Sequence, residues 1–171
     1  SGNYAYVADG SYGLVIVNIS DPSNPTLAGS YNTAGSAYGV CVSGNYAYVA
    51  DFVRGFLIIT ISNPSNPTLT GKYDPSGYAR DVYVRGNYAY VAGGDGLVIV
   101  NISDLSRPTR MRSYKTSGSA CGVYVNGNYA YVVCDSYGLV IINISDPSNP
   151  TLAGSYDTSG YAGGICVSGN Y

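Results

Sequence analysis

The chain has 171 residues and a net charge of −2, with no His, no Glu and no Trp against 20 Tyr and 23 Gly. Without His there is no imidazole base, no Ser-His-Asp or Cys-His pair and no His-ligated zinc, and eight Lys and Arg against ten Asp leave no basic face for a phosphate backbone. No apolar run approaches the roughly 20 residues of a membrane helix, and the lack of an initiator Met or signal-like stretch reads as a processed or excised segment.

Internal repetition organises everything else. Gly-Asn-Tyr recurs at Gly2, Gly44, Gly86, Gly127 and Gly169, at intervals of 42, 42, 41 and 42 residues. In chain order, the run from Tyr4 onward predicts a strand and Leu14-Val15-Ile16-Val17 another. Pro22 and Pro25 mark the turn to a further strand. The second unit is complete: strands are expected over 37–43, 46–51, 56–62 and 68–73. The third and fourth units repeat this series, residues 145–156 being identical to 20–31, and a last strand of the first kind is expected over 163–167. Seven of the eight prolines (Pro22, Pro25, Pro64, Pro67, Pro108, Pro147 and Pro150) lie between third and fourth strands, where no ladder donor is needed. No segment carries helical spacing.

First and second strands are joined by Gly-Asn, which suits a two-residue type II′ hairpin and sets the register. In the last unit it pairs Asn126 with Tyr129, Val125 with Ala130, Tyr124 with Tyr131 and Val123 with Val132. Continued outward, the count sets Cys121 opposite Cys134 in a non-hydrogen-bonded pair, with Cα atoms ~4.5 Å apart and within disulfide range. A Cys121–Cys134 disulfide is therefore expected, contributing at most ~3 kcal/mol and implying an oxidising location. Cys41 and Cys166 share one column with Tyr83 and Tyr124 and read as small hydrophobes. No Cys-x-x-Cys pair suggests a metal.

Four strands per ~42-residue unit in tandem predict an all-β fold, a β-propeller with four four-stranded antiparallel blades per chain. Residues 1–171 form one such domain, a whole ring or half of one. Radial packing buries both faces of a blade, which accounts for a third strand without polar alternation; an open β-solenoid is the rival. The 163–167 strand is expected to pair with the opening hairpin partner, since sheet edges must be paired or covered. That closes a four-bladed ring in one chain or an eight-bladed ring in two, unless the segment belongs to a longer ring. The small residues Gly39, Val40, Gly122, Val123 and Gly164 on the innermost strands favour the wider ring.

Leu14-Val15-Ile16-Val17-Asn18-Ile19-Ser20, the runs 97–103 and 139–145, and the flanking Tyr-Val-Ala-Asp and Pro-Ser-Asn-Pro patterns resemble the LVIVD repeat across all four units. The resemblance implies a β-propeller of the kind common in secreted or surface proteins of bacteria and archaea, most without an assigned activity. It transfers no catalytic residue. The Asp of the signature is replaced by Asn18, Asn101 and Asn143, and by Thr60 in the second unit.

Those replacements create three N-glycosylation sequons, at Asn18, Asn101 and Asn143; the same side chains can instead satisfy backbone groups at a strand end. Loops between second and third strands share a propeller face with the connections between blades. That face is expected to gather Asp9, Tyr12, Tyr38, Asp51, Arg54, Tyr78, Arg80, Tyr137 and Tyr161, with Ser11, Asp95 and Asp135 nearby, as a ligand-binding rim. Tyrosine rings beside Asp and Arg suit a glycan or a protein loop. The acidic loops supply too few closely spaced oxygens for calcium, and no cofactor or metal is expected.

Two function classes follow. One is a non-enzymatic structural, adhesion or protein-interaction scaffold, extracellular or at the cell surface, its partner a second copy of itself or another surface protein. The other is a lectin-like binder of glycans on the Tyr- and Asp-rich rim. A third reading is an engineered or recently amplified repeat scaffold with no ligand. Enzymatic activity is not expected, because no base near neutrality and no carboxylate pair can be placed. Neither nucleic acid nor a membrane span enters.

Overall fold

The computed structural model describes residues 2–74 and 77–169; the last Gly-Asn-Tyr run therefore lies beyond Gly169 outside the described residues. Within them the structure is all β-sheet apart from a single 3-10 turn at Asp135–Tyr137. The first sheet holds β1 (Tyr4–Ala8), β2 (Leu14–Asn18) and β3 (Thr26–Tyr31), and the second β4 (Gly39–Ser43), β5 (Tyr46–Asp51), β6 (Gly55–Thr60) and β7 (Thr68–Tyr73). The third holds β8 (Ala79–Arg85), β9 (Tyr88–Gly93), β10 (Gly96–Asn101) and β11 (Thr109–Tyr114); the fourth holds β12 (Ala120–Asn126), β13 (Tyr129–Cys134), β14 (Gly138–Asn143) and β15 (Thr151–Tyr156). Each sheet is an antiparallel meander in sequence order, the blade that the repeat implies.

Local chemistry sets these boundaries. Gly44, Gly86 and Gly127 have φ of +57°, +56° and +54°, and the Asn after each keeps a negative φ, as a type II′ turn requires. The register that results runs from Asn126↔Tyr129 to Val123↔Val132, as counted from the sequence. Past Gly122, which still pairs with Val133, the count fails. A β-bulge at Cys121 puts Ala120, not Cys121, opposite Cys134. The expected disulfide is absent: both cysteines are free thiols, because the extra residue re-aims Cys121 away from its sheet partner.

The sheets stack face to face about a common axis. In the second sheet Ala47, Val49, Leu57 and Ile59 pack against the first sheet, while Tyr48, Ala50, Phe56 and Ile58 pack against the third. A third cluster, including Tyr90, Leu97, Ile99, Val132 and Ile142, joins third to fourth. Four sheets thus share three buried interfaces. β1 pairs in a sheet with β2 alone, and residues 161–168 belong to no sheet, so the pairing expected of 163–167 with the opening strands is not made within this chain. The tail lies instead beside β12, on the far side of the stack from β1.

A left-handed glycine opens each third strand: Gly13, Gly55, Gly96 and Gly138 have φ of +82°, +80°, +96° and +72°. Gly96 has φ +96°, and a Cβ there would lie 2.4 Å from the Tyr114 carbonyl oxygen; the hairpin Gly127 has similar handedness but open space around it. Urea denaturation is expected to show Gly127→Ala costing about 1 kcal/mol, from backbone strain alone. Gly96→Ala should cost at least twice as much, because a backbone clash adds to the strain.

Candidate functional site

The turns between second and third strands of the first, second and fourth blades are stitched to the entrance that follows. Gly10 and Ala37 exchange backbone hydrogen bonds of 3.0 and 2.9 Å, and the Ala79 N–H donates to the Phe52 carbonyl at 3.1 Å. This fastening brings one column of the repeat, Tyr38, Arg80, Cys121 and Gly163, to the mouth of the axis. With Phe52 these residues line a cleft of about 390 Å³. Arg80 and Cys121 are both bulge residues of their inner strands. A bulge adds a residue outside the ladder and turns its side chain out of the alternating pattern, here into the cleft.

Two groups of side chains build the walls. Phe52 stacks on Tyr78 with ring centroids 4.2 Å apart and planes 7° from parallel, and the Tyr38 ring is tilted against Phe52 at 5.4 Å. Tyr38 and Tyr78 keep exposed ring surface. Opposite them, the Cys121 thiol donates to Asp135 Oδ1 (2.6 Å) and accepts from Arg80 Nη1 (3.0 Å), and Arg80 also reaches Asp135 at 3.2 Å. The half-exposed ion pair contributes little to stability, but it orients the guanidinium. The cleft therefore offers an aromatic wall for a flat apolar group and an Arg for a carbonyl or carboxylate.

Backbone strain marks the same residues. Phe52 and Asp135 have φ of +25° and +24°, at the turn position where the other units carry Gly10 and Gly94. A bulky residue in left-handed backbone is costly and gathers where side-chain placement matters.

The expected rim is only partly assembled. Tyr38 and Arg80 line the cleft, and Tyr78 stacks on its Phe52. Asp9 and Tyr12 lie at the first blade, with Tyr12 exposed, and Tyr137 covers Gly118. Tyr161 stands exposed beside the tail's anchor at Ala162. Arg54 donates to the Ala34 carbonyl at 3.1 Å and lines a separate cleft of about 190 Å³ with Thr33, Lys72 and Asp74. Asp51 is a correction: it is fully buried and cannot meet a ligand. Its carboxylate turns under the loop at Gly35, where both oxygens lack a hydrogen bond of good geometry. Burial raises its pKa, and the Thr33 hydroxyl, the Ser36 backbone and Arg54 offset only part of that.

Phe52, Cys121 and Asp81 carry roles that sequence reasoning missed. Asp81 sits on the inner strand, its Oδ1 and Oδ2 accepting 2.9 Å bonds from the Val82 and Val123 amides and tying third blade to fourth. Burial raises its pKa as well, against those two hydrogen bonds. The signal for all three was present in the repeat, since each departs from its own column: Asp81 from Gly39, Gly122 and Gly164, and Phe52 from Gly10 and Gly94. At the sequons, Asn18, Asn101 and Asn143 each accept the Ser N–H two residues on at 2.9 Å, the turn-capping role. Among the described residues no cluster of three or more His, Cys, Asp or Glu could hold a metal, and no helix is long and apolar enough to cross a membrane.

The LVIVD repeat matches four times, at residues 1–33, 34–75, 76–116 and 117–158. The chain belongs to the LVIVD repeat family. No curated protein matches it. Among solved structures, the computationally designed Ika8 protein is similar with a TM-score of 0.75 at 10% identity, over 99% of this chain and 51% of that one. A functionally unknown protein from Desulfotomaculum acetoxidans gives 0.74 at 15% identity, over 97% and 59%. The Cps50 (Swd1) β-propeller domain of Myceliophteria thermophila gives 0.67 at 13% identity, over 91% and 57%. This LVIVD-repeat chain thus has a β-propeller fold and spans between half and three-fifths of the length of those structures.

Two outcomes test the site's physics. A carboxylate whose folded pKa lies above its unfolded value loses stability as pH rises from the unfolded pKa through the folded one. Asp51→Asn is therefore expected to raise Tm at pH 7 by about 2–4 °C, roughly 1 kcal/mol for a chain of this size, and to give no gain near pH 3 in the same thermal scans. Asp135→Gly should leave Tm unchanged or slightly higher, because relieved strain of about 1 kcal/mol offsets the lost ion pair.

Proposed function

We propose that this LVIVD-repeat propeller is a non-enzymatic scaffold for adhesion or protein interaction, at the cell surface or outside the cell. In this reading it takes its partner in the axial cleft. The observation that supports this is the column Tyr38, Arg80, Cys121 and Gly163. Structural positions such as Tyr4, Tyr46, Tyr88 and Tyr129 repeat in every unit, whereas this column differs in every unit and converges on one cleft. Variation inside a repeat costs packing regularity and is expected where a ligand, not the scaffold, sets the side chain. A protein loop presenting an aromatic or carboxylate side chain matches the Phe52–Tyr78 stack and the Arg80 guanidinium. Other surface proteins and a second copy of the chain are the partners proposed.

The exposed rings of Tyr38 and Tyr78 favour a second reading, glycan binding, since a sugar's apolar face stacks on such rings while its hydroxyls bond Arg or Asp. A recently amplified or engineered repeat scaffold with no ligand is the third.

Labelled protein on peptide and glycan arrays separates these readings. A selective peptide signal, weakened about tenfold or more by Tyr38→Ala or Arg80→Ala, is the expected result. A selective glycan signal competed by free sugar moves the assignment to the lectin-like reading, and an empty result on both arrays sinks the two together.

A further inference from the structure

The two outer faces of the stack are the two halves of one more blade interface. Val7 is 42% exposed, whereas Val49, Val91 and Val132 in its column are at 0%, 1% and 0%; Ile19 is 37% exposed against 4%, 4% and 5% for Ile61, Ile102 and Ile144. The opposite end mirrors this: Tyr129 and Tyr156 are exposed where Tyr46, Tyr88, Tyr73 and Tyr114 are half-buried, and Leu139 and Ile141 are only half-buried where Phe56, Ile58, Leu97 and Ile99 are sealed. The first face has the chemistry that receives a preceding blade, and the fourth the chemistry that receives a following one.

The tail already occupies the position of the inner strand of a fifth blade. The Ala162 N–H donates to the Asp135 carbonyl at 2.9 Å, as Ala79 does to Phe52. At the other end Asn126 Nδ2 donates to the Gly169 carbonyl, as Arg85 does to Gly127 one blade earlier. Between them, a Cβ on Gly122 would lie 3.5 Å from the Gly164 Cα, just as one on Gly39 would meet Asp81. Docked at both ends and its middle, this strand joins no sheet among the described residues, while β1–β2–β3 has no inner strand among them. Gly154 tells the same story: Cβ atoms on Gly29 and Gly71 would lie 2.1 Å from Pro64 and Leu105 of the next blade, but Gly154 faces open space.

We infer that a second copy of this chain fills both faces, so that two copies close one eight-bladed ring, residues 162–169 of each completing the first sheet of the other. The inference names the scaffold's own partner and rests on the scaffold reading to that extent. One copy carries one donor and one acceptor face, and a two-fold axis satisfies both pairs at once. Its own β1 lies beyond three intervening interfaces from the tail. The register follows from Gly39↔Ala50 to Ser43↔Tyr46: Gly164 opposite Ala8, Ile165 opposite Val7, Cys166 opposite Tyr6, Val167 opposite Ala5 and Ser168 opposite Tyr4.

Light scattering on the 171-residue chain is expected to give twice 17.8 kDa, independent of concentration. Ile19→Asp, which buries an unpaired charge only in the assembled ring, should weaken association by about 100-fold or more while circular dichroism keeps its β signal. Should that variant fail to fold, Ala5→Cys with Val167→Cys supplies the answer, because non-hydrogen-bonded pairs admit a disulfide. Covalent two-chain species on a non-reducing gel support the ring. A single-chain mass, a mass that climbs with concentration, or a cross-link confined to one chain overturns it. A two-chain ring silent on both arrays would sink the ligand reading and leave this one standing, and a monomer that binds would do the reverse.

Discussion

Every blade in this protein depends on having both faces of its sheet covered by a neighbour. A four-stranded meander of Val, Ile, Leu, Tyr and Ala alternates side chains between two faces, and neither is polar enough to meet water. Stacking the sheets about an axis solves this for the interior blades, where Val49, Ile58, Val91 and Ile99 are sealed from both sides. It leaves the problem open at the two ends of the stack. The exposed Val7 and Ile19 are therefore products of the same rule that makes Val49 and Ile61 inaccessible.

The same architecture explains how a monotonous repeat acquires a site. Hydrogen bonds from the turns at Gly10, Phe52 and Asp135 to the entrance that follows each hold the axial mouth in place, so single-residue departures there are presented together. Arg80 and Cys121 leave the ladder through bulges, and Phe52 and Asp135 occupy the left-handed turn position that Gly10 fills in the first blade. The bulge between third and fourth strands recurs in all four blades, whereas the inner-strand bulges at Arg80 and Cys121 come together in one cleft. Stability comes from the recurring positions and selectivity from the exceptions.

Much of this was legible in the order of residues. The hairpin register, the strand order within each blade and the turn-capping alternative at the sequon asparagines follow from local chemistry, since two-residue turns and Asx turns are decided within a few bonds. The misplaced Cys121–Cys134 pair arose from carrying that register one step too far. A bulge is set by contact between inner strands and leaves no mark in a hydrophobic pattern. Asp51 was assigned to the surface because its turn is a surface turn; its burial depends on the 33–36 loop of the same unit folding over it, a contact about 15 residues away in sequence.

The amino-acid sequence alone determined the repeat, the four-stranded blade and the identity of each structural column, because these rest on side-chain alternation and turn propensity acting over short distances. The tertiary structure decided which exceptions meet and which faces remain uncovered. Those depend on the curvature of the stack, the sum of small rotations between blades, and no single repeat encodes that sum. The convergence of Tyr38, Phe52, Arg80 and Cys121, and the docking of residues 162–169 as an inner strand that joins no sheet among the described residues, became visible only once the blades were set around their axis.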